Sequence, residues 1–85
     1  MEEQEVGKVT HYFTKIGVAI VEVSAPIRVG DKIHIKGATS DFTQTVESMQ
    51  IEHQPVEEAK PGDSIGLKVV DHAREGDTVF KIVSG

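Results

Sequence analysis

The residues of this chain that could carry out chemistry lack the spacing that a metal centre needs. Four histidines occur, His11, His34, His53 and His72, each far from the next in sequence. Zinc sites usually take two ligands from within a few residues of one another. No metal site is therefore predicted.

The sequence also lacks a nucleophile motif or a phosphate-binding loop next to a predicted helix, where either motif would have to lie. We do not interpret Ser64, within Gly62-Asp63-Ser64-Ile65-Gly66, as a nucleophile elbow, because an elbow joins a strand to a helix. No glycine-rich segment opens a helix in the manner of a phosphate-binding loop. The sequence predicts a protein that has no catalytic residues, binds no cofactor or nucleotide, and is not an enzyme.

A glycine–aspartate pair occurs three times, each time before a stretch with strand-like alternation. The glycines are Gly30, Gly62 and Gly76. Glycine takes a positive φ without steric cost, so we expect a tight turn with a positive φ at each, followed by a strand. In the strand after the first turn, Ile33 and Ile35 should face the core.

The same alternation predicts that the two side chains on the opposite face of that strand, His34 and Lys36, are exposed.

Strand-like segments account for most of the chain. Strands are expected at residues 5–13, 18–23, 32–36, 42–53, 64–70 and 78–83, with a bulge near Glu47-Ser48 and a single helical turn at residues 56–59. The expected core comprises Val9, Val18, Ile20, Val23, Ile33, Ile35, Phe42, Val46, Met49, Ile51, Ile65, Leu67, Val69, Val79, Phe80 and Ile82. A flat six-stranded sheet would leave open edges. The predicted fold is therefore an all-β, six-stranded, closed antiparallel barrel of Greek-key type.

Length and composition narrow the class of protein. The chain has 85 residues, no cysteine and a formal net charge of −5. We expect residues 1–4 to form a disordered tail and residues 5–83 to form a single domain. The acidic amino terminus and the lack of a long apolar run predict a cytoplasmic protein that does not contact a membrane. The negative charge argues against generic nucleic-acid binding.

Five short motifs follow one another along the chain: Gly7-Lys8-Val9, residues 27–33, residues 45–49, residues 60–67 and residues 74–79. Taken in this order, they resemble the second domain of elongation factor Tu and related translational GTPases. The same module is similar to one found in collagenase-like peptidases of the tRNA-modification type. The resemblance implies a translation-protein β-barrel, without the GTP-binding domain and without GTP hydrolysis.

The resemblance also implies a contact surface. In elongation factor Tu, an acidic residue in the fourth strand helps to hold the aminoacyl end of tRNA. The equivalent stretch here is Met49-Gln50-Ile51-Glu52, in which Gln50 stands at the acidic position. Gln50, Glu52 and His53 are the predicted partner-binding residues.

Two functions remain open at this point. The first is a non-catalytic binding module that contacts RNA (tRNA or rRNA), a ribosome-associated factor or a protein partner. The alternative is a detached accessory domain that supplies substrate recognition to a collagenase-like peptidase or a tRNA-modifying enzyme.

Overall fold

The computed structural model describes residues 2–83, which form an all-β, antiparallel fold without a helix. None of these residues therefore belongs to a helix capable of crossing a membrane. Ten strands are present in this range: β1 (Glu2–Phe13), β2 (Val18–Val23), β3 (Ile27–Arg28), β4 (Lys32–Lys36), β5 (Asp41–Thr45), β6 (Met49–Ile51), β7 (Gln54–Val56), β8 (Glu58–Ala59), β9 (Ser64–Lys68) and β10 (Thr78–Val83).

Eight of these strands form one sheet in the order β5-β4-β10-β1-β2-β9-β6-β7, and β3 pairs with β8 separately. The long strand β1 lies near the middle and pairs with β10 on one side and β2 on the other. Register shifts interrupt β1 between Glu5 and Gly7 and between Val9 and His11. Such bulges bend and twist a strand, which allows β1 to follow a strongly curved sheet.

The connection between β5 and β6 shows how far the sheet curls. Only residues 46–48 join these strands, although five other strands separate them in the sheet order. In a flat sheet they would be roughly 29 Å apart, at about 4.8 Å per strand. The connecting residues can reach only about 14 Å. The sheet must therefore curl until β5 approaches β6.

The buried Gln44 side chain links β5 to the chain at the end of β9. Its Nε2 donates to the Lys68 carbonyl at 2.8 Å, and its Oε1 accepts from the Val70 N–H at 2.8 Å. Within residues 2–83 no strand pairing joins β5 to β7. Closure into a barrel thus stays a prediction.

Three details of the predicted strand layout are corrected by the structure. Ten strands replace six, because residues 42–53 divide into β5, β6 and a turn at residues 52–53, and because β3, β7 and β8 were not predicted. The helical turn expected at residues 56–59 is not formed: this part of the chain belongs to β7 and β8, which pair with β6 and β3. Residues 2–4 of the predicted tail pair with β10; Met1 lies outside the described residues.

The core was predicted well in most strands, but in β2 only Val23 was predicted correctly. Ile33 and Ile35 are fully buried, as expected, whereas Val18 and Ile20 are only half-buried and Ala19, Val21 and Val23 face the core. Because β2 is apolar on both faces, its alternation could not identify the inner one. The other predicted core residues that are only half-buried are Phe42, Ile51, Phe80 and Ile82. Core residues absent from the predicted set are Val6, Ala19, Val21, Ile27, Ala59 and Ala73.

The three Gly-Asp turns share one hydrogen-bond pattern. Gly30, Gly62 and Gly76 have φ values of 98°, 94° and 92°. In each turn the carboxylate of the aspartate accepts a hydrogen bond from the backbone N–H of the residue three positions earlier. The backbone N–H of the aspartate donates to the carbonyl of that earlier residue. Asp77 is almost completely buried. Each turn is therefore closed from both sides before the next strand begins.

Candidate functional site

The three predicted contact residues lie together in one open groove on the outer face of the sheet. Gln50 is in β6, and Glu52 and His53 form the turn that leads to β7. The groove has a volume of about 280 Å³. Its other lining residues are Phe13, Ile16, Val18, Ile20, Ser64, Ile65 and Gly66.

The floor of the groove is a glycine between two longer side chains. Strand register places Gly66 of β9 opposite Ile20 of β2 and opposite Gln50 of β6. A Cβ at this position would lie 3.5 Å from Val18 Cγ1 and 3.9 Å from both the Gln50 carbonyl oxygen and Ile20 Cδ1. These are ordinary contact distances. The absence of a side chain therefore keeps a space open that an alanine could occupy without a clash.

One end of the groove is apolar and exposed. Phe13 ends β1, pairs with Val18, and is 49% exposed, while Ile16 in the following turn is 64% exposed. Val18 and Ile20 add a half-buried apolar wall. The sequence prediction missed all four residues as site residues. The available signal was the run of apolar residues in β2, which indicates a strand with two apolar faces.

The other end of the groove is polar and is formed by a strained turn. Ile51 pairs with Gln54, so Glu52 and His53 are the two central residues of a hairpin, with φ values of 51° and 65°. Positive φ at both positions is typical of a type I′ turn, for which Asn-Gly is preferred. Residues with a Cβ cost roughly 1 kcal/mol or more each in this conformation.

The groove is electrostatically asymmetric. Glu52 is the one carboxylate among its lining residues, and neither lysine nor arginine belongs to that set. Lys68 pairs with Val18, and Lys15 precedes Ile16, so both of these cations belong to the apolar end. The polar end therefore carries a negative charge with no lysine or arginine lining it.

Ser64 does not form a nucleophilic site in this groove. The segment from Gly62 to Gly66 has the letters of the G-x-S-x-G motif, but Ser64 is the exposed first residue of β9 and follows a turn rather than preceding a helix. His53 lines the same groove, yet no hydrogen bond joins the two side chains among the described residues. The pair lacks the contact that activates a serine.

A second polar cluster surrounds His34, away from the groove. Its Nδ1 lies 2.6 Å from Glu3 Oε2 and its Nε2 lies 2.5 Å from Asp41 Oδ1. The side chain is 14% exposed, so the prediction that His34 is exposed was wrong, because these two carboxylates cover it. The hydrogen bond to Asp41 is the main cause that raises the pKa of His34; burial opposes it and Glu3 adds to it.

The carboxylates lie on opposite ring nitrogens, which suits an imidazolium that donates twice. Such a geometry does not suit a shared metal ion, and in the range 2–83 no group of three or more His, Asp or Glu side chains could hold one. The remaining histidines are separate: His11 lies 3.9 Å from Glu75, His72 packs against Tyr12, and His53 is in the groove.

Sequence comparison finds relatives among proteases. An uncharacterized protease of Methanocaldococcus jannaschii is 40% identical over 77 residues, which cover 89% of this chain and 19% of that protein. A collagenase of Porphyromonas gingivalis is 37% identical over 78 residues, covering 89% of this chain and 22% of the collagenase. The chain thus spans about a fifth of the length of these curated relatives. No family model matches it.

A shorter match links the chain to translation. Elongation factor 1-alpha of Archaeoglobus fulgidus is 40% identical over 57 residues, covering 62% of this chain and 13% of the factor. The protease relatives match more of this chain and so support the collagenase-like resemblance better than the elongation-factor one.

Two crystal structures share the fold. Both are of the C-terminal domain of a Geobacillus thermoleovorans protein assigned to the U32 peptidases, one of them a selenomethionine variant. Their TM-scores are 0.88 and 0.85, each at 24% identity, and they cover 94% and 89% of this chain. This chain in turn covers 93% and 96% of those domains. At this identity the likeness establishes the fold alone.

Proposed function

We propose that this chain is a non-catalytic accessory domain of the kind carried by collagenase-like proteins of the U32 type, and that it binds a partner through the groove. Residues 5–83 act as one domain in this proposal, and the curled sheet is a closed barrel. Gln50, Glu52 and His53 contact the partner. The partner is a peptidase-like protein or the substrate of one.

The main support for the proposal is that this chain matches a single isolated domain over almost the whole length of both. This chain and an isolated C-terminal domain of a U32-assigned protein cover each other almost completely, at 94% and 93%. The protease and the collagenase extend far beyond the matched part, since the chain spans only 19% and 22% of them. The protease-named relatives therefore contain about four-fifths of their length outside this module, where catalytic residues can reside.

A domain exchange tests the proposal. The matched segment of the Porphyromonas collagenase is deleted, and this chain is inserted in its place. We expect the deletion to reduce collagen cleavage and the insertion to restore a substantial part of it. The purified chain alone should cleave neither collagen nor casein. Cleavage by the chain alone, or a chimera no better than the deletion, would contradict the proposal.

RNA binding is a second candidate, favoured by the 57-residue match to elongation factor 1-alpha. Electrostatics disfavour it at this groove, because no lysine or arginine lines the groove to neutralise phosphates. Binding of a tRNA acceptor-stem oligonucleotide that weakens steeply with salt, and that is lost in a Gln50→Ala/His53→Ala double variant, would favour this second function over the first.

A further inference from the structure

We infer that the groove receives an extended peptide that carries a large apolar side chain and, four residues away, a lysine or arginine. The inference rests on the proposed function and specifies the chemistry of its partner. It follows from the different character of the two ends of the groove, from the distance between them, and from the strained turn at one end.

The apolar end provides a surface for one large side chain. Phe13 and Ile16 are about half and two-thirds exposed, and half-buried Val18 lies beside them. Two large hydrophobic side chains exposed side by side at the edge of a groove are unusual on a surface that meets only water. Covering them with an aliphatic or aromatic side chain would remove this apolar area from water.

The polar end selects for positive charge. Glu52 is the one carboxylate that lines the groove, and Lys68 and Lys15 belong to the opposite end by register and sequence. The lysine nearest to Ser64 in register is Lys8, which lies two strands away opposite Glu22 and does not line the groove. A phosphate or a carboxylate placed beside Glu52 would be repelled, whereas a lysine or arginine would form an ion pair. Charge complementarity therefore favours a cationic peptide over a nucleic acid.

The length of the groove sets the distance between the apolar side chain and the cationic side chain of the peptide. Val18 lies opposite Lys68 at one end of β9, and Ser64, which lines the groove with Glu52, begins β9 at the other. Four residue steps of a strand span roughly 13 Å. Side chains four positions apart in an extended peptide lie on the same face at that same separation.

The strained turn is a separate observation that also supports a contact with the peptide at the polar end of the groove. Glu52 and His53 both have positive φ in a two-residue hairpin, although neither is glycine or asparagine. A strained conformation at a site where ordinary turn residues would be more stable suggests that the side chains have a role. Both side chains line the groove.

The test is an NMR titration of the ¹⁵N-labelled chain with short peptides. The probe is Thr-Leu-Thr-Ser-Thr-Arg-Thr, in which leucine and arginine are four positions apart. We expect saturable shifts of the backbone amides of Ile16, Glu52 and Gly66. Peptides with glutamate in place of arginine, or with serine in place of leucine, should bind at least fivefold more weakly.

Variants of the chain locate the two contacts. Gly66→Val should weaken binding of the probe at least tenfold by filling the floor, with Gly66→Ala intermediate. Glu52→Gln should weaken binding about three- to fivefold, the range for one exposed ion pair, while Glu47→Gln removes the same charge outside the groove and should change nothing. Thermal melting of each variant checks that it folds.

Several outcomes would overturn the inference. They are an absence of shifts at the groove, equal binding of the arginine and glutamate peptides, or displacement of the peptide by a short single-stranded RNA. The domain exchange is independent of these results. A working chimera without peptide binding would contradict only the inference about the peptide. Peptide binding together with a failed chimera would contradict only the proposed function.

Discussion

The Gly-Asp turns and the Glu52–His53 turn solve the same steric problem in opposite ways. Gly30, Gly62 and Gly76 have a positive φ and no Cβ to clash. At Glu52 and His53 the chain accepts a positive φ with side chains attached. The first three turns deliver strands to the core, whereas the fourth delivers two polar side chains to the groove. Residues that suit a positive φ therefore occur where a turn leads into a core strand. Residues that suit it poorly occur where the side chains face the groove.

The largest effect is expected in the core behind the first Gly-Asp turn. Ile35, in β4, is fully buried. Its replacement by alanine should lower the free energy of unfolding by about 2–5 kcal/mol, because it removes buried methylene groups and leaves a cavity. Urea denaturation measures the change. A loss below about 0.5 kcal/mol would mean that the register of β4 is wrong by one residue.

The next effect tests the turns directly. Gly76→Ala should cost about 1–2 kcal/mol, because the added Cβ meets the left-handed conformation that alanine adopts poorly. Gly66→Ala is the matched control, since it adds the same methyl group in a strand with ordinary contact distances. Equal denaturation midpoints for the two variants would remove the distinction between them.

The groove-side turn should respond with the opposite sign. Glu52→Asn combined with His53→Gly installs the residues that a type I′ turn prefers, and should raise stability by about 1 kcal/mol. The same variant should lose the arginine dependence of peptide binding. If the melting temperature falls instead, the turn is not strained and the comparison with the Gly-Asp turns fails.

The smallest expected effect concerns pH and lies outside both kinds of turn. The pKa of His34 is raised in the folded chain, chiefly by Asp41. The stabilisation is therefore complete below the unfolded pKa of about 6.5 and is lost as pH rises through the folded pKa. An ion pair at this partly exposed site contributes on the order of 1 kcal/mol or less.

The measurement is the difference in melting temperature between the wild type and His34→Gln from pH 5.5 to pH 9. This difference should be largest at the acidic end and should shrink toward alkaline pH. His72→Gln serves as the control, since His72 packs against Tyr12 rather than between two carboxylates. A pH-independent difference for His34→Gln would show that the cluster does not titrate in this range.

Much of the architecture was predictable because its signals are local. The Gly-Asp pairs indicate where β4, β9 and β10 begin, and the alternation around Ile33 identifies the buried face of β4 correctly. The short strands β7 and β8 were missed because a two- or three-residue segment carries no period of its own. Their strand conformation depends on pairing with β6 and β3.

The candidate site was predictable only in its polar half. Gln50, Glu52 and His53 came from a resemblance in the fourth strand, and the structure brings them into one groove. Phe13, Ile16, Val18 and Ile20 were assigned to strand, turn or core, because an apolar residue in a strand is more often buried. Which face of β2 packs inward depends on its register with β1 and β9. β9 is far from β2 in the chain, and β2 itself has apolar residues on both faces, so the local pattern does not distinguish them.

The sequence by itself determined the class of fold and the positions of the three Gly-Asp turns, because residue alternation and glycine geometry act over a few neighbouring residues. The tertiary structure alone decided which apolar residues stay outside, how far the sheet curls, and that Gly66 lies between Ile20 and Gln50. Those features depend on hydrogen-bond register between strands that are far apart in the chain. A change of one residue in that register would turn the groove inward and the core outward.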